Sequence, residues 1–173
     1  MNIPNVLTLF RLALIPIYIV VFMSDVPYRN VWALFVVILA GWTDIADGYI
    51  ARRYGWTTHT GEMLDPLADK LMMLTVFLTM LVSGRISLAA ALAIFIRDAG
   101  MIVGTAVFHF RGKQTVPANV MGKATTVLYY VTFVFLLFEW PYDQAILWGT
   151  ILFSYVTLLV YIAQIRLLNR KPT

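Results

Sequence analysis

The sequence DIADGYIAR at positions 44–52 is followed, after eight residues, by GEMLDPLAD at positions 61–69. These two segments place four aspartates among otherwise apolar residues. A carboxylate at the centre of a bilayer costs about 3 kcal/mol on insertion scales, so a group of four needs compensating cations. Hard divalent cations bind carboxylate oxygens and are the natural partners. We therefore expect the function to lie in this part of the chain.

The composition is that of a membrane protein. Apolar residues make up 61% of the 173 residues and charged residues 13%, about half the charged fraction that is usual in a soluble domain. Spans of about 20 residues leave room for six crossings with short connections. We therefore predict a single membrane domain over residues 1–173. The chain has no cysteine, which excludes disulfides and thiolate metal sites.

Hydropathy predicts the fold class directly: an all-α integral membrane protein with six transmembrane helices. The six apolar stretches are Val6 to Met23, Val31 to Ala51, Glu62 to Val82, Ile86 to Phe110, Met121 to Phe138 and Ala145 to Ile165. The segment before Leu12 is ambiguous because Pro4 and Asn5 resemble a helix start and Arg11 interrupts the apolar pattern. It predicts either a short interfacial helix before the first span or a plain first span with a snorkelling Arg11.

Loop charges predict the orientation. Six crossings put both termini on one side, and if that side is the cytoplasm, only Arg29 and Arg85 of the 13 basic residues lie outside, as the positive-inside rule requires. The termini and the aspartate cluster are thus expected on the cytoplasmic side of a bacterial cell membrane. The net charge of +4 is explained by this bias and by anionic membrane lipids, without a nucleic-acid partner.

The spacing of the four aspartates indicates one shared pocket. Asp44 and Asp47 are three residues apart, and Asp65 and Asp69 are four apart, so on helices each pair shares a face. Two facing helix ends would present all four carboxylates together. Oxygen ligands of this kind suit Mg²⁺ or Mn²⁺, and a two-metal site can hold a diphosphate during phosphoryl displacement.

Small and basic residues next to the aspartates indicate space for a ligand. Gly48 and Ala51 continue the face of the second helix and leave room near the backbone. Arg52 follows and is able to neutralise a phosphate oxygen. Two alternatives remain at this point: aspartates that cap helices or pair with Arg52, Arg53 and Lys70, and an ion-coupled transporter.

The pattern of aspartates, small residues and arginine resembles the signature of the CDP-alcohol phosphotransferase family at all eight positions and with the family's spacing. The matched residues are Asp44, Asp47, Gly48, Ala51, Arg52, Gly61, Asp65 and Asp69. Members of that family are integral membrane enzymes, generally homodimers, that transfer a phosphatidyl or similar group from a CDP-linked donor to an alcohol and release CMP.

The resemblance also implies residue roles. It implies two divalent cations, Mg²⁺ or Mn²⁺, held by Asp44, Asp47, Asp65 and Asp69, with Asp69 also acting as general base toward the acceptor hydroxyl. The residues that it implies in the CDP pocket are Gly48, Ala51, Arg52 and Gly61.

Two further motifs bear on the acceptor. The segment IPNVLTLFRLALIP at 3–16 and the segment LDPLADK at 64–70 resemble the phosphatidylglycerophosphate and cardiolipin synthases of the family. We expect transfer from CDP-diacylglycerol to a small phosphorylated alcohol, glycerol 3-phosphate, giving phosphatidylglycerol phosphate. Asp98 after Arg97 is closer to the cardiolipin synthase branch, so phosphatidylglycerol is the alternative acceptor.

A phosphate-bearing acceptor needs cationic partners near the aspartates. The predicted topology places Arg97, Arg111 and Lys123 on that side of the membrane. The alternative for Arg97 is an ion pair with Asp98 or between helices, with the other two as ordinary cytoplasmic charges.

Overall fold

The structure, a computed structural model, describes the backbone at residues 3–54, 59–110 and 120–169. Within these ranges it describes no side chain at 3–6, 47–54, 59–67, 69, 105–110 and 166. The described chain is helical and contains no strand. Its six helices are α1 (Ile3–Met23), α2 (Arg29–Tyr54), α3 (His59–Val82), α4 (Leu88–Phe110), α5 (Val120–Phe138) and α6 (Asp143–Leu168). The prediction of an all-α chain with six helices is confirmed.

The first helix settles the two alternatives for the N-terminal segment. Helix α1 runs without a break from Ile3 to Met23, with Pro16 inside it, so no separate helix precedes it in the described chain. The prediction of a snorkelling Arg11 is wrong. Its side chain is buried and forms an ion pair with Asp44, because Arg11 lies on the face of α1 that packs inside the protein.

Within the residues whose side chains the structure describes, three helices are long and apolar enough to cross a membrane. The qualifying segments are Arg29–Ala46, Val120–Phe138 and Asp143–Ile165, and shorter apolar helices cover Leu7–Met23 and Lys70–Val82. Many large apolar side chains on these helices are exposed, including Val20, Trp42 and Leu152. Lipid chains are the solvent that such surfaces require. The chain is a helical membrane protein, and six crossings stay a prediction.

The helices form two compact units, Met1–Ser83 and Gly84–Thr173. In the first unit, α1 packs against both α2 and α3. Its buried face carries Thr8, Arg11, Leu14, Tyr18 and Phe22, at the spacing of three and four that one helix face requires. The facing side of α2 includes small buried residues, Ala33 and Ala40, which let helix backbones approach closely. The hydroxyl groups of Tyr18 and Thr79 lie 3.1 Å apart and link α1 to α3.

In the second unit, α6 packs against both α4 and α5. Threonine hydroxyls form hydrogen bonds across the α5–α6 interface, where Thr125 donates to Thr157 at 3.1 Å and the hydroxyls of Thr132 and Thr150 lie 2.7 Å apart. Toward α4, the hydroxyl of Tyr155 donates to the carbonyl oxygen of Ala93. These bonds satisfy polar groups that neither lipid nor an apolar interior could satisfy.

The threonine pair between α5 and α6 is testable by removing one hydroxyl. Thr132→Val keeps the shape of the side chain but leaves the buried hydroxyl of Thr150 without this partner, so the free energy of unfolding in detergent should fall by about 1 kcal/mol. Thr126→Val on the same helix is the control, because Thr126 is exposed and bonds the carbonyl of Gly122 in its own helix. Equal effects of the two substitutions would contradict the role given to the pair.

Candidate active site

The aspartate signature lies on α2 and α3, the second and third helices of the first unit. Asp44 and Asp47 fall in the second half of α2, and Asp65 and Asp69 fall in the first half of α3. The backbone is helical at all four positions, and α2 and α3 are in contact. Each pair therefore has the spacing that places two residues on one helix face.

Most of the predicted site residues lie outside the described side chains. Of the four predicted cation ligands, the structure describes the side chain of Asp44. The side chains of the other three ligands and of the CDP-pocket residues are not described. These residues are Asp47, Asp65, Asp69, Gly48, Ala51, Arg52 and Gly61. Among the described side chains, no group of three or more acidic or histidine ligands comes together. The cation site thus stays a prediction.

Asp44 forms an ion pair with a buried arginine of α1. The Nη1 atom of Arg11 lies 2.7 Å from Oδ1 of Asp44, and the side chain of Arg11 is 1% exposed whereas that of Asp44 is 45% exposed. A buried guanidinium requires a close anion, since desolvation of an unpaired charge costs several kcal/mol. The first aspartate of the signature therefore already has one cationic partner within the protein.

Sequence reasoning had not given Arg11 this role. A signal was present: Arg11 lies three residues after Thr8 and three before Leu14, and all three belong to the buried face of α1. Helical periodicity therefore places Arg11 inside the protein. It does not identify the partner, because Asp44 lies on another helix and no local pattern connects the two.

A second buried arginine lies in the second unit. Arg97 of α4 is 4% exposed, and its Nη1 donates to Oδ1 of Asp98 at 2.6 Å. Its Nε donates to the backbone carbonyl of Ser154 on α6 at 3.3 Å. The ion pair that was one alternative for Arg97 is thus present. A guanidinium carries five N–H donors, so these two contacts do not use its full capacity.

Of the two other predicted acceptor residues, Lys123 and Arg111, the structure describes one. Lys123, near the start of α5, is exposed. Arg111 lies outside the described residues. The common role predicted for these two residues and Arg97 stays a prediction.

Comparison with known proteins places the signature in a family. The sequence profile of the CDP-alcohol phosphatidyltransferase family matches residues 1–156. The chain belongs to the CDP-alcohol phosphatidyltransferase family. This is an enzyme family of phospholipid biosynthesis, which decides against an ion-coupled transporter. It also makes the chain a membrane-bound transferase.

Individual relatives of the family carry two names. The chain is 36% identical to the CDP-diacylglycerol–glycerol-3-phosphate 3-phosphatidyltransferase of Rickettsia bellii, over 73% of this chain and 70% of the relative. It is 29% identical to the Bacillus subtilis protein of that name, over 90% of this chain and 91% of the relative. It is 30% identical to the cardiolipin synthase (CMP-forming) of Streptomyces coelicolor, over 98% of this chain and 85% of the relative.

The contacts of Arg97 predict a large effect on stability. Arg97→Gln breaks the ion pair with Asp98 and the bond to Ser154, so the free energy of unfolding in detergent should fall by about 3 kcal/mol, as expected when a buried pair is broken. Lys123→Gln, at an exposed position, should change it by less than about 0.5 kcal/mol. If Arg97→Gln were as stable as Lys123→Gln, the ion pair would have no part in holding α4.

Proposed function

We propose that this protein transfers a phosphatidyl group from CDP-diacylglycerol to glycerol 3-phosphate, giving phosphatidylglycerol phosphate and CMP. The observation that carries the proposal is the family's aspartate signature on two contacting helices, α2 and α3. The names of the Rickettsia and Bacillus relatives support this donor and acceptor. The proposal treats residues 1–173 as one functional domain, since the family match extends across both compact units.

The proposed cofactors are two divalent cations, Mg²⁺ or Mn²⁺, held by Asp44, Asp47, Asp65 and Asp69. The donor set fits hard cations because it consists of carboxylates alone in a chain without cysteine. Asp44 supports the fit in a second way: nearly half of its side chain is exposed although one oxygen is paired with Arg11, so its carboxylate has room for another ligand. When bound, the cations would neutralise the diphosphate of the donor and stabilise the charge that develops on it.

Asp69 is proposed as the general base. Its carboxylate would accept the proton of the primary hydroxyl of glycerol 3-phosphate as the hydroxyl oxygen attacks the phosphorus that carries diacylglycerol. A new phosphorus–oxygen bond forms, the diphosphate bond breaks, and its electron pair leaves with CMP. Gly48, Ala51, Arg52 and Gly61 would shape the CDP pocket, where the small residues admit the ligand and Arg52 neutralises a phosphate oxygen.

The acceptor phosphate is proposed to meet Arg97, Arg111 and Lys123. Arg97 has donors beyond those used for Asp98 and Ser154, and Lys123 is exposed. The same proposal places the active site and both termini on the cytoplasmic side, where glycerol 3-phosphate is found. It also includes a homodimer, as is general in the family.

Cardiolipin synthesis is the second candidate for the acceptor. It would use phosphatidylglycerol, which reaches the site within the bilayer. Asp98 after Arg97 favours it, and so does the name of the Streptomyces relative, which aligns over nearly the whole chain. The aspartate chemistry would be the same in both reactions.

Asp69→Asn tests the proposed base. The amide keeps the size of the side chain but cannot accept the proton, so CMP release should fall by at least about 100-fold while the protein stays folded. Asp25→Asn is the matched control, because Asp25 is an exposed residue between α1 and α2, and this variant should keep its activity. Near-normal CMP release by purified Asp69→Asn would show that another group takes the proton.

The acceptor is identified by its product. Purified protein with CDP-diacylglycerol and Mg²⁺ should release CMP when glycerol 3-phosphate is added, and the lipid product should be phosphatidylglycerol phosphate. Phosphatidylglycerol added in its place should give little CMP. Cardiolipin as the sole product would instead assign the second candidate, whereas absence of CMP release with either acceptor would count against both.

A further inference from the structure

The Arg11–Asp44 ion pair joins a helix outside the signature to the first aspartate of the signature. Arg11 belongs to α1, whereas the signature lies on α2 and α3. The guanidinium is almost fully buried, and the carboxylate that it contacts is about half exposed. Here the buried arginine holds a carboxylate that stays open to other ligands.

A second arginine with an exposed carboxylate partner provides a comparison within the chain. Arg85 lies before α4, and its Nη2 is 3.1 Å from Oε1 of Glu139. Its Nη1 donates to the carbonyl oxygens of Leu136 and Leu137, in the last turn of α5, where carbonyls lack partners in the helix. Arg85 thus caps the end of α5.

The charges of the signature give the Arg11–Asp44 pair its significance. Four carboxylates brought together repel one another when no metal is bound. Arg11, held against Asp44, offsets part of this negative charge. A divalent cation that binds Asp44 must share its carboxylate with Arg11, and it feels repulsion from the guanidinium.

We propose that Arg11 is a positioning residue that acts through Asp44 and gives the aspartate cluster a permanent positive charge. This charge stabilises the metal-free protein and lowers the affinity of the cluster for divalent cations. The inference rests on the proposed function, because it takes the four aspartates as the cation ligands. It explains why a membrane protein buries an arginine on α1. It also implies that metal affinity is set partly by a helix that contributes no ligand.

The test is a Mg²⁺ titration of thermal unfolding, carried out on the full chain in detergent after treatment with a chelator. A ligand that binds the native state raises the melting temperature, and the dependence on Mg²⁺ concentration gives the affinity. Arg11→Gln should melt below wild type in chelator. The Mg²⁺ concentration that raises its melting temperature should be at least about tenfold lower than for wild type, because a repelling charge has been removed.

Two control variants separate charge from general destabilisation. Arg11→Lys keeps the positive charge, so its Mg²⁺ affinity should lie within about threefold of that of wild type. Arg85→Gln removes an arginine that caps the end of α5 and should melt at a lower temperature with an unchanged Mg²⁺ dependence.

Each other outcome overturns the inference. An Arg11→Gln variant with unchanged or weaker Mg²⁺ affinity would show that Arg11 does not compete with the cation. If the variant failed to fold even in saturating Mg²⁺, Arg11 would be a residue of the fold alone, because the cation should replace its charge. If Arg11→Lys behaved as Arg11→Gln, charge would not be the cause.

Failure of the proposed function gives a different result. In that case wild type itself would show no Mg²⁺-dependent stabilisation and no CMP release. A wild type that binds Mg²⁺ and releases CMP, beside an Arg11→Gln variant with the wild-type Mg²⁺ dependence, would overturn only the role of Arg11.

Discussion

The buried guanidinium of Arg11 constrains the first unit, because it needs a close anion and Asp44 on α2 supplies one. Charges are removed from water only at a cost of several kcal/mol, and a close counter-ion is needed to offset it. Among the described residues, Arg11 and Arg97 are the charged side chains that are buried, and each has an aspartate within 2.7 Å. The other buried polar residues in that part of the chain are threonines and a serine. In the described part of each compact unit, one buried arginine thus has a close carboxylate partner.

The aspartate partners of the two arginines differ in their exposure and in their place in the sequence. Asp98 adjoins Arg97 in sequence, and Arg97 also bonds the backbone of α6, so this pair stabilises the packing of α4. Asp44 is more exposed and belongs to the family signature. Its carboxylate is held by α1 from one side and is open on the other. The same kind of ion pair therefore serves packing in the second unit and, in our proposal, the cation site in the first.

The positions of the six helices along the chain are largely predictable, because each helix coincides with an apolar stretch of the sequence. The end of α1 at Met23 and the end of α3 at Val82 agree with the predicted apolar stretches. Helix starts agree less well, since capping and charged residues decide them. The fourth apolar stretch begins at Ile86, but α4 begins at Leu88, and the hydroxyl of Ser87 accepts a hydrogen bond from the amide of Ala90.

The candidate site was predictable in its residue types but not in its contacts. The aspartate spacing on α2 and α3 follows from helical periodicity, and the structure has helices at both places. The ion pair of Arg97 with Asp98 is predictable because the two residues are neighbours in sequence. The pair of Arg11 with Asp44 is not, because it depends on how α1 packs against α2, which a single sequence does not encode in any local pattern.

The central claim is that the aspartates of α2 and α3 hold divalent cations in one site. Anomalous diffraction from crystals grown with Mn²⁺ tests it most directly, because the signal locates the metal without reference to activity. The account predicts two Mn²⁺ peaks bounded by Asp44, Asp47, Asp65 and Asp69. Mn²⁺ peaks elsewhere, or none at these residues in crystals of protein that releases CMP, would contradict it.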